Sequence, residues 1–289
     1  MIVSLTHIEI LIALARYKYL CTTQIHKLFF EGKTLRNTQM HIRKLADKGL
    51  IKSDFIPLTK KTRNLGKVCY LTSQGGQAVE NELHVRKQEM SFNVVSKAIQ
   101  SGNHYYHRKR LIDFLIQLDL ELFSIPDLSI KILKTEARQA EVYGKRTFET
   151  LIQGAGFSLV PDIIVVLQSE KTGNEAVFMV EIDCGTETIG GQQSYIPESS
   201  LMAKFLKYEK LMRSNDWKKY LDTSATAFQV LTITEKDQSV GTMAQKLESR
   251  LDARLGLFLF TTYERLEGSE LLRSPLWWNQ EEKDYKPLL

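Results

Sequence analysis

Near the start of the chain, apolar residues recur at helical spacing in three short blocks; farther along they form unbroken runs, and the two patterns predict different structures. In LTHIEILIALARY, Leu5, Ile8, Leu11, Ile12 and Ala15 predict a first helix, with Thr6 as its cap and Glu9 completing a capping box. CTTQIHKLFF sets Thr22 or Thr23 ahead of Ile25, Leu28 and Phe29, a second helix. A third follows EGKT, with Met40, Ile42, Leu45 and Ala46 interleaved among Arg36, Asn37, Gln39, His41, Arg43 and Lys44, and Gly49 ends it. LIKSDFIPL and VCYLTSQGG then flank the basic segment TKKTRNLGK and read as a two-stranded hairpin.

The next stretch has no strong period until HRKRLIDFLIQLDLELF, where Leu111, Phe114, Leu115, Leu118 and Leu122 mark an amphipathic helix. The domain boundary is expected near residue 90, giving segments 1–90 and 91–289. Beyond it, SIKILKTEAR, LVPDIIVVL, AVFMVEID, AFQVLTITE and LGLFLF alternate with the helical patterns SSLMAKFLKYEKLMRS and TMAQKLESRLDARL. Strands this continuously apolar belong in a sheet covered on both faces, so the second segment reads as an α/β domain. Gly173-Asn174 separates two of the strands closely enough for a hairpin, which makes the sheet mixed.

Composition adds one feature to this picture. The 289 residues are 43% hydrophobic and 25% charged, as in ordinary globular proteins. No apolar run is long enough to span a bilayer and the N-terminus lacks a secretory pattern, so a cytoplasmic protein without membrane contact is expected. Cys21, Cys69 and Cys184 are too scattered for a disulfide framework or a zinc site, and His7, His26 and His41 show no ligand spacing. Charge, however, is uneven. Residues 1–90 hold 15 Lys+Arg against 7 Asp+Glu and the remainder 24 against 27, so the front carries +8 and the rear −3. That asymmetry points the front at a polyanion, most simply double-stranded DNA. Arg36, Asn37, Gln39 and Arg43, with Lys44 beside them, are types that pair with base edges, while Lys60, Lys61, Arg63 and Lys67 can neutralise phosphates.

The rear holds the candidate chemistry. Asp162 opens one strand, and Glu181 and Asp183 share one face of the next. Buried carboxylates repel, so they call for a cation: a divalent ion held by Asp162 and Glu181, Mg2+ or Mn2+, or the side chain of Lys204, with Tyr208 one helical turn beyond. A structural network with Lys204, Arg138 and the backbone amides of CGTET is the alternative.

Three resemblances follow. The three helices and basic hairpin, with HIRKLADKGLI and YLTSQGGQAV, resemble a winged helix-turn-helix over residues 4 to 84. The order of PD and ExD strands is similar to the PD-(D/E)xK nuclease-like superfamily, which implies magnesium at Asp162 and Glu181, although the lysine position is taken by Asp183. Lys204 would then act from the neighbouring helix. PDIIVV, VEIDCGTET and AKFLKYEKL together resemble the replication-relaxation family of plasmids and mobile elements. That resemblance implies a DNA-binding protein of replication control or mobilisation. A metal-dependent endonuclease with Asp162, Glu181, Asp183 and Lys204 as its catalytic group is the alternative. A third reading makes the second domain a dimerisation module, giving a homodimer with Trp277 and Trp278 as an exposed anchor; the alternative, favoured here, is a tail folded over its own core.

Overall fold

The computed structural model describes residues 4–55, 66–85, 102–136, 139–142, 145–185, 200–250 and 255–289. It is mixed α/β and divides into two compact units, 1–116 and 117–289.

In the first unit, α1 (Leu5–Tyr17) is capped by Ser4, whose hydroxyl accepts the His7 amide at 3.4 Å. The helix therefore starts ahead of the expected Thr6 cap, leaving Leu5 outside the core at 77% exposure. The short strand β1 (Leu20–Cys21) leads directly into α2 (Thr22–Phe29), whose cap is Cys21 rather than either threonine. Pairing of β1 fixes the chain at Cys21, and Gln24 Oε1 accepts the Cys21 amide at 2.9 Å. α3 (Leu35–Asp47) precedes β2 (Ile51–Phe55) and β3 (Lys67–Leu71), which pair antiparallel in the sheet order β1-β3-β2. The segment between β2 and β3, with Lys60, Lys61 and Arg63, lies outside the described residues.

α4 (Ser73–Val85) begins where the sequence reading ended its hairpin, because Gly75-Gly76 looks like a turn. Tertiary contact gives Gly75 a different purpose. A Cβ there would lie 1.9 Å from the Leu50 carbonyl oxygen, so only glycine lets the start of α4 close on the turn between α3 and β2. α5 (Gly102–Phe123) confirms the amphipathic pattern expected over 107–123 and extends it N-terminally. Its first half belongs to the first unit: Gln24 Nε2 donates to Asp113 Oδ1 at 2.8 Å, and Tyr105 packs with Cys21 and Val68. The division between units thus falls within α5 rather than near residue 90.

The second unit is built on a seven-stranded sheet. In chain order it holds β4 (Leu128–Thr135), the hairpin β5 (Gln139–Val142) and β6 (Lys145–Phe148), and a second hairpin, β7 (Ile152–Gly154) and β8 (Phe157–Leu159). There follow β9 (Ile163–Ser169), β10 (Glu175–Ile182), α6 (Leu201–Ser214), β11 (Phe228–Thr234) and α7 (Asp237–Glu248). The chain ends with β12 (Phe258–Thr262), α8 (Tyr263–Leu266), β13 (Trp277–Asn279) and β14 (Asp284–Lys286).

The large sheet runs β14-β13-β12-β11-β10-β9-β4. β9 and β10 form the expected antiparallel hairpin, with Gly173 at φ 70°, while β10, β11 and β12 run parallel, so the sheet is mixed. α6 and α7 are the crossovers, and both pack on one face: Phe205, Tyr208, Leu211, Val240 and Met243 meet Val166, Met179, Val230 and Phe258. The alternate strand residues Val165, Phe178, Val180, Leu231 and Leu259 are buried as well, which is why these strands read as continuous apolar runs. α7 ends at Glu248, short of the pattern that predicted it. The tail folds over its own core rather than standing out as an exposed anchor. Trp277 is fully buried, its Nε1 donating to the Leu271 carbonyl at 2.9 Å, and Trp278 packs against the core.

Candidate functional site

Two groups of residues carry the predicted chemistry, one in each unit. In the first, α3 is anchored through Thr38, Ile42 and Leu45, all buried, which turns Arg36, Gln39, Arg43 and Lys44 outward and leaves Asn37 half-buried. Burying Ile42 and Leu45 contributes roughly 1.5–3 kcal/mol each. Two polar contacts fix the helix further: His41 Nδ1 lies 3.0 Å from His7 Nε2, and His26 Nδ1 lies 2.9 Å from Thr38 Oγ1. Burial, then the charge of Lys44, holds His41 below its ordinary pKa; burial, then His41, Lys48 and Lys44, does the same to His7. The buried side of the helix is therefore neutral at neutral pH, and its cations lie on the open side. Arg43 meets Asp47 at 3.8 Å, but both side chains are so exposed, 85% and 70%, that the pair is easily parted. On β3, Lys67 is exposed, its Nζ 4.9 Å from the Phe55 ring centroid. Met40, expected on the buried side, is 44% exposed among the cations.

In the second unit the acids lie where β9 begins and β10 ends. Strand parity puts Asp162, Glu181 and Asp183 on the α6 face, with Ile164, Val166, Val177 and Met179. All three are buried. Each has a structural partner. Asp162 Oδ2 accepts the Ile182 amide at 2.6 Å, closing the ladder where Pro161 has no N–H to offer. Asp183 Oδ1 accepts the Gly185 amide at 2.8 Å, an Asx turn completed by Gly185 at φ 65°, and Asp183 Oδ2 accepts the Thr234 hydroxyl at 2.9 Å. Glu181 Oε2 is 3.0 Å from Lys204 Nζ, and Glu181 Oε1 accepts the Tyr208 hydroxyl at 2.5 Å. Burial pushes the Glu181 carboxyl up to about 7 against the pull of Lys204, with Asp162 adding to the rise.

The sequence reading thus assembled Asp162, Glu181, Asp183, Lys204 and Tyr208 in the right region. It missed Thr234, whose position becomes readable only from the parallel register Ile182↔Ile233. It also missed Glu136, one residue beyond β4, whose amide donates to the Asp162 carbonyl at 3.0 Å and whose carboxylate comes within 4.8 Å of the Asp162 carboxylate. Arg138 and Thr186, proposed partners of the acids, lie outside the described residues.

Holding a divalent ion at Asp162 and Glu181 would require Glu181 to exchange its present partners. An ammonium and a phenol hold the two oxygens of Glu181.

Among solved structures, a match is the structure of SdaI restriction endonuclease, 14% identical, covering 81% of this chain and 80% of that one, with a TM-score of 0.24. A score that low carries no argument about fold. No curated protein matches the chain significantly. No described helix is long and apolar enough to cross a membrane. The profile of the replication-relaxation family matches residues 11–224, a span that includes the whole of α3, the three buried carboxylates and Lys204, and by that match the chain belongs to the replication-relaxation family.

Proposed function

We propose that this chain is a DNA-binding protein acting in replication control or mobilisation of a plasmid or mobile element, its first unit a winged helix-turn-helix that reads duplex DNA. One observation carries the reading: α3 is held by an apolar and neutral side and offers Arg36, Gln39, Arg43 and Lys44 to solvent. A helix is narrow enough to enter the major groove, where such side chains pair with base edges, and Lys67 stands on β3 where a wing meets phosphate. The chain order α1-β1-α2-α3-β2-β3 supports the same reading. Duplexes selected from a randomised library test it. Wild type enriches a defined sequence, whereas Arg36→Ala or Arg43→Ala relaxes the preference at one position by about 1–3 kcal/mol. Enrichment of no sequence by wild type would remove the reading.

The alternative, a metal-dependent endonuclease, asks the acids to exchange their present partners for an ion. We read them instead as a structural network that closes the β9 and β10 ends, since each carboxylate has a partner within the unit. Manganese accordingly leaves the melting temperature unchanged. Nicking of supercoiled plasmid with manganese that disappears in both Asp162→Ala and Glu181→Ala would reinstate the nuclease.

A further inference from the structure

A single exposed apolar side chain is ordinary on a protein surface. Met40 differs in its neighbours. It is 44% exposed in the middle of the open stripe of α3, with Arg36 one turn before it and Arg43 and Lys44 one turn after. A partner that neutralises those three cations brings a polyanion against the thioether, so an apolar group must lie within the polyanion's own recognition surface. In the major groove of DNA, the C5-methyl of thymine is the one apolar group that projects from a base edge; beside it stand hydrogen-bond donors and acceptors and the much smaller C5–H of cytosine. RNA of A form offers neither the methyl nor a groove wide enough for the helix.

Resting on the DNA-binding reading above, we infer that Met40 is a specificity-determining residue that reads a thymine methyl between two positions read by Arg36 and Arg43. Arg36 and Arg43 stand seven residues apart, about 10 Å along the helix axis. That length spans about three base-pair steps, so the methyl belongs to a step between two arginine-read guanines. Methionine suits the task because its unbranched thioether adapts to an irregular apolar partner. Gln39, adjacent and exposed, is free to pair with the adenine opposite or next to that thymine.

The test uses the full chain and the duplex selected by wild type, with each thymine replaced in turn by deoxyuridine, which lacks only the methyl. One replacement between the two guanines weakens wild-type binding about fourfold, the worth of one buried methyl group. Met40→Ala and Met40→Gln bind the thymine and deoxyuridine duplexes equally, and melt as wild type does because the side chain carries little of the core. Wild-type binding that ignores every replacement would overturn the inference alone. So would a loss that persists undiminished in both Met40 variants. Failure to select any duplex would overturn the DNA-binding reading, and this inference with it.

Discussion

Glu175 and Glu181 stand at opposite ends of β10 and are driven in opposite directions by their surroundings. Lys131 and then the Thr223 hydroxyl pull Glu175 down to about 2, whereas burial pushes Glu181 up to about 7. The folded protein therefore holds the Glu181 proton more tightly than the unfolded chain, where glutamate titrates near 4.5. Its contribution to stability is complete below that value and is lost as pH rises through about 7, with a ceiling of about 3 kcal/mol. Glu181→Gln cannot ionise but still accepts from Tyr208. Thermal melts of the variant and wild type should run together near pH 5 and separate by pH 8, wild type falling the more steeply. Parallel curves across that range would mean that Glu181 keeps an ordinary pKa. At this scale the sequence identified the acidic residues, since a strand's alternation alone puts Glu181 and Asp183 on one face. It did not identify their partners: Thr234 arrives from a strand far along the chain, and its pairing with Asp183 is a matter of register.

The elements differ in what their glycines permit. Gly75 lies where a methyl group would run into the Leu50 carbonyl, whereas Gly241, in the exposed middle of α7, has nothing within 4 Å of the same methyl. Gly75→Ala should therefore cost about 1–3 kcal/mol by forcing α4 away from the Leu50 turn that follows α3. Gly241→Ala should stabilise by about 0.5–1 kcal/mol, since only backbone freedom in the unfolded chain changes. Chemical denaturation of both variants checks the pair of signs. Helices and strands with a strong period were legible in the sequence: α1, α3, α5, α6, β9, β10 and β11 lie where the pattern puts them. α4 was not, because its glycine pair reads as a turn until the close approach is seen. The small hairpins β5–β6 and β7–β8 were also missed, being too short to display a period.

At the scale of the molecule, the cations gathered in residues 1–90 should dominate any encounter with DNA. The logarithm of the association constant should fall linearly with the logarithm of salt concentration. Lys67→Ala should reduce that slope by about one, while Lys210→Ala on α6 should leave it unchanged. Titrations by fluorescence anisotropy between low and physiological salt measure both. A slope that responds equally to the two variants would place the second unit on the DNA as well. The sequence by itself determined the class of each half, because hydrophobic period and charge are local properties: amphipathic blocks with outward cations in front, and doubly buried strands behind. It also singled out the acids at the ends of β9 and β10. Tertiary structure decided how those residues are employed. Long-range pairing of β9, β10 and β11 brings amides, a hydroxyl, a phenol and an ammonium to the three acids, and packing turns Met40 out and Trp277 in. Such outcomes depend on contacts between residues distant along the chain, and no local pattern encodes them.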